Sequence, residues 1–105
     1  MRLSALALLL APTVVPAHAA CSDDLVKADQ SLHRTRAELQ QAATAAPAVK
    51  CAAYRRHVAS LTQVRDVFTR CDTSAAKAAN AGQVNASLAE FNKQMRASCA
   101  GAAKK

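Results

Sequence analysis

The sequence predicts an all-α fold: an antiparallel three-helix bundle, up-down-up, stapled by two disulfides. Apolar residues recur at helical spacing in separate stretches, four cysteines stand far apart near the ends of those stretches, and turn-forming residues gather between them. Alanine is abundant and large apolar residues are few, so the core is thin. A chain this short with a thin core needs covalent help.

The first residues read as an export leader. Arg2 supplies the positive start, Leu3 to Leu10 the apolar run, and Ala17-His18-Ala19 the small-x-small cleavage pattern. The run is shorter than the roughly 20 residues of a membrane span, and Pro12 and Pro16 interrupt it. The expectation is a signal peptide over 1–20, cleaved after Ala19 or Ala20, and a periplasmic or secreted product. A competing reading places a lipid on Cys21, although His18 stands where a Leu-like residue is usual. Four cysteines in an exported chain are expected to form disulfides.

The single domain expected over 21–100 begins with a helix over about 22–46. Ser22, Asp23 and Asp24 offer N-cap oxygens and negative charge for its first turn. Cys21, Leu25, Ala28, Leu32, Thr35, Leu39, Ala42 and Ala46 alternate spacings of four and three, which makes one buried seam. Pro47 ends this helix and opens the next, since proline disfavours a helical predecessor but suits a first turn.

The second helix, over about 48–71, is the pivot. Cys51, Tyr54, Val58, Leu61, Val64, Phe68 and Cys71 fill roughly 160° of its circumference, with the cysteines at opposite edges. Twenty residues of helix separate those two by about 30 Å, so they cannot bond each other. The short turn at Pro47 makes helices one and two antiparallel, which brings Cys21 to Cys71. Glu38 then approaches Arg55, and Asp23 or Asp24 approaches Arg70.

Asp72, Thr73 and Ser74 form a turn. Residues 74–81 read as a short or frayed helix that breaks near Gly82, because glycine costs about 1 kcal/mol inside a helix. A firm helix over 84–99 carries Val84, Leu88, Phe91, Met95 and Cys99, with Ser87 and Glu90 spaced as a capping box if it starts late. Returning along helix two, it brings Cys99 to Cys51. Gly101 reads as its stop, and 101–105 as a flexible basic tail.

Chemistry-bearing patterns are sparse. No Cys-x-x-Cys or His-x-x-x-His pair exists, which argues against a redox dithiol or an ordinary metal site. His57 falls within the apolar arc and Met95 on a seam, so both read as core residues; they remain the ligands of an alternative periplasmic copper- or zinc-handling role. Ser60 follows His57 by three residues but reads as an exposed helix edge with no acidic orienter. Two glycines leave no phosphate-cradling loop, and no cofactor is expected. Asn85-Ala86-Ser87 matches the glycosylation pattern, which carries no meaning in a bacterial exporter. The chain is therefore expected not to be an enzyme.

Net charge is +7, or +6 once Arg2 leaves with the leader. Arg55, Arg56 and Arg70 on helix two, with Arg34 and Arg36 on helix one, form a candidate face for an anionic partner. Tyr54, Phe68 and Phe91, the only three aromatics, all point to the core, which argues against specific nucleic-acid binding. The alanine-rich seams with Cys21, Cys51, Cys71 and Cys99 resemble small exported, four-cysteine helical bacterial proteins without an assigned function. That resemblance covers most of the mature chain and transfers no active site. The expected role is binding of another macromolecule or an anionic surface.

Overall fold

A computed structural model describes residues 17–103. Three α-helices, α1 (Ala17–Gln41), α2 (Pro47–Cys71) and α3 (Lys77–Ala103), make up the fold, and no strand occurs among the described residues. Residues 1–16 of the leader expected over 1–20, and the last two lysines, lie outside them, while 17–20 belong to α1.

Both disulfides are those that helical arithmetic selects. Cys21 bonds Cys71 with Cα atoms 5.4 Å apart, and Cys51 bonds Cys99 at 4.7 Å. Each closes a loop of about fifty residues, 50 and 48 in sequence separation. Because they leave opposite edges of α2, they hold α1 and α3 on opposite flanks. No Cα atom of α1 lies within 8 Å of one in α3 among the described residues, so α2 is the shared partner in an open bundle.

The α2 surface buried by two neighbours is wider than its apolar seam. Ala53, His57, Ser60 and Val67 are buried with Cys51, Leu61 and Val64. Ser60 is 4% exposed, where the sequence suggested a wet helix edge. Its hydroxyl meets that of Ser31 at 2.9 Å, and this polar pair lets α1 approach a position that no apolar pattern marked.

Helix ends account for the other departures. Ser22, Asp23 and Asp24, expected at the cap of the first helix, lie within α1, which already covers Ala17–Gln41 among the described residues. At its far end α1 stops at Gln41, and a 3-10 turn over Ala42–Thr44 follows. Ala46, expected within the first helix, is instead the extended residue before Pro47, with φ −58° and ψ 152°. Pro47 occupies the first turn of α2, as its fixed φ favours.

α3 is one helix where two segments were expected. It runs through Gly82, which adopts no positive φ, and past Gly101 to Ala103. Val84 and Leu88 are buried against α2, and that packing outweighs the propensity cost of one glycine. Ser87 accordingly sits inside the helix, and Glu90 accepts a hydrogen bond from Gln94 instead of closing a capping box. The turn before α3 is tied down by Asp72. Its carboxylate accepts bonds from the Ser74 amide at 2.9 Å, the Ser74 hydroxyl at 2.6 Å and the Asn80 side chain at 2.9 Å. These bonds, led by the Ser74 hydroxyl, hold the Asp72 pKa below its ordinary value.

Candidate functional site

The antiparallel pairings define two halves. Ser31 faces Ser60 at the middle of α1 and α2, and Leu61 clusters with Leu88 at the middle of α3. On the Cys21–Cys71 side lie most of the packed apolar residues: Ala28, Leu61, Val64, Val67, Val84 and Leu88, flanked by Leu25 and Phe68. On the Cys51–Cys99 side the buried set is small or polar, with Ala42, Ala53, Thr35 and His57.

His57 is 2% exposed and joins all three helices. Its Nδ1 lies 2.9 Å from the Thr35 hydroxyl of α1, and its ring packs edge-to-face with that of Phe91 of α3 at a centroid distance of 4.4 Å. Burial, and secondarily the Arg36 guanidinium, push its pKa below the ordinary 6.5. The neutral ring therefore belongs to the packed core. All four cysteines are in disulfides, and no group of three or more His, Cys, Asp or Glu able to hold a metal occurs among the described residues. Met95 is half-buried on α3, and His33, exposed, pairs with Asp29 at 3.4 Å on its own helix. The Cys21 sulfur bonds Cys71, which leaves it no valence for a lipid thioether.

Charge is partitioned between the halves. The Cys21–Cys71 half holds Lys27, Arg65, Arg70 and Lys77 against Asp23, Asp24, Asp29, Asp66 and Asp72, a net of −1. The Cys51–Cys99 half holds Arg34, Arg36, Lys50, Arg55, Arg56, Lys93 and Arg96 against Glu38 and Glu90, a net of +5 among described residues. The sequence adds Lys104 and Lys105 directly after Ala103. Four of the five arginines of the expected face, Arg34, Arg36, Arg55 and Arg56, thus fall in one half. Arg70 lies at the opposite end, where Asp24 takes its guanidinium at 3.1 Å.

Ion pairing sharpens the contrast. Glu38 pairs with Arg56 at 2.6 Å rather than with Arg55, because Arg56 and not Arg55 lies on the α1 flank of α2. Arg34, Arg36, Lys50, Arg55, Lys93 and Arg96 form no ion pair with a described residue. Sequence reasoning missed Lys50, Lys93 and Arg96. For Lys93 and Arg96 the antiparallel return of α3 was the available signal; for Lys50 it was its place about a turn before Arg55 near the start of α2.

Past these cations the bundle ends in an apolar tip. Pro47, Ala48 and Val49 are exposed, Val49 to 50%, and a Cβ built on Gly101 would lie 4.0 Å from Pro47. The tip thus joins the start of α2 to the end of α3. Exposed Ala43, Ala46, Ala100 and Ala103 lie on the segments that meet there. The chain matches no protein-family model, no curated protein and no solved structure.

Proposed function

We propose that this chain is an exported, non-enzymatic binding protein that docks through its Cys51–Cys99 pole on an anionic lipid surface. The observation that carries this reading is the +5 half surrounding an exposed tip at Pro47, Ala48 and Val49. A cationic rim attracts anionic headgroups at about 1 kcal/mol per Lys or Arg near the surface. A small apolar tip adds burial among those headgroups. Nucleic acid is less suited, because Tyr54 and Phe91, the aromatics of this half, are half-buried and offer no base-stacking platform. Two disulfides fit an oxidising, exported setting. No described helix is long and apolar enough to cross a membrane.

Sedimentation with vesicles tests it. The oxidised protein should bind phosphatidylcholine vesicles containing phosphatidylglycerol and not phosphatidylcholine alone, with binding weakened by salt. Arg55→Glu with Arg56→Glu should lower the partition coefficient by at least about tenfold, whereas Lys77→Glu in the other half should change it little. Equal loss from both variants, or tighter retention by nucleic acid than by vesicles, would overturn the reading.

A further inference from the structure

The Cys51–Cys99 half also contains a cleft of about 240 Å³, open to solvent, where the α1–α2 turn meets the last turns of α3. Its walls are Leu39, Ala42 and Ala43 from the first helix and turn, Lys50 and Tyr54 from α2, and Ser98 from α3. Lys50, Tyr54 and Ser98 are each half-buried. None of their side chains forms a hydrogen bond or ion pair with another described residue, while Tyr54 rests its ring 6.3 Å from that of Phe91. Three side chains able to donate hydrogen bonds therefore line one small space, and no carboxylate lines it.

We infer that this cleft is a binding site for a phosphate monoester carrying a short apolar chain. Phosphate offers enough acceptor oxygens to engage an ammonium and two hydroxyls together. The cleft lies at the small end of ligand pockets and suits a headgroup rather than a whole lipid. Leu39 and Ala42 provide an apolar wall for the first carbons beyond the ester. The inference rests on the reading of the basic pole and adds to it a recognised headgroup, which long-range charge attraction alone does not select.

The test uses the full oxidised chain, titrated by calorimetry with dihexanoyl phosphatidate kept below its micellar concentration and, in parallel, with inorganic phosphate. Lys50→Met should weaken phosphatidate binding by at least about tenfold. Tyr54→Phe and Ser98→Ala, which remove only hydroxyls, should each weaken it about threefold. Arg96→Ala, in the same half but outside the cleft lining, should change it less than about twofold. Melting temperatures of all four variants should match the parent. Phosphate binding as tightly as phosphatidate, with the same Lys50 dependence, would support the site and assign free phosphate as its ligand. No binding of either, or equal weakening by Lys50→Met and Arg96→Ala, would overturn it. Vesicle sedimentation separates the two readings: Lys50-dependent phosphatidate binding without vesicle binding keeps the cleft and removes the docking pole, and the reverse keeps only the pole.

Discussion

The two halves of this bundle differ both inside and outside. Around Cys21–Cys71, branched apolar side chains pack against α2 and surface charge is nearly balanced; around Cys51–Cys99, alanine, threonine and histidine fill the interior and net positive charge crowds the surface. Self-repulsion destabilises a compact state, and the crowded half has the thinner apolar core with which to oppose it. One disulfide in each half compensates for what a chain of this size cannot bury. Packing concentrates in one half and unpaired cations in the other.

Cutting a staple should break that division most severely. Cys51→Ser should cost about 2–5 kcal/mol, as lost disulfides do in small exported domains. The polar half should open first, seen as faster amide exchange over residues 50–57 than over 61–68. An unchanged melting temperature under oxidising conditions would remove the staple role.

A smaller effect sharpens the comparison through His57. Its folded pKa is lowered, so an unfolded chain with the ordinary value near 6.5 takes up a proton that the folded chain refuses. Stability should therefore be intact above that value and decline as pH falls below it, until the buried ring itself protonates. Melting temperature should drop by a few degrees between pH 7.5 and pH 5. His57→Gln should flatten that slope; a slope unchanged in the variant would assign the pH dependence elsewhere.

The smallest expected change lies in the balanced half. Gly82 is a helical residue whose added Cβ would meet nothing within 4 Å. Gly82→Ala should raise stability by about 0.5–1 kcal/mol, read as a higher midpoint in urea with an unchanged slope, and a loss would show that the start of α3 needs the glycine.

The sequence by itself determined the three helices, the turn at Pro47 and both cysteine pairings. The reason is rigidity: a helix with cysteines at its two ends and two edges cannot bond itself, and antiparallel neighbours leave each sulfur one partner. Tertiary structure alone decided the rest. Propensity places a break at Gly82 and a stop at Gly101, yet α3 runs through both to Ala103, and buried Val84 and Leu88 with the Asp72–Asn80 bond anchor it on either side of Gly82. The burial of Ser60 depended on Ser31 arriving opposite it, and the choice of Arg56 over Arg55 on which flank α1 covers. The charged pole is legible only in part along the chain: Arg34, Arg36, Arg55 and Arg56 read as a basic face, but Arg70 leaves it for the other end and Lys50, Lys93 and Arg96 join it across three helices. Their common end exists only once the helices lie side by side, which is a property of packing and not of local pattern.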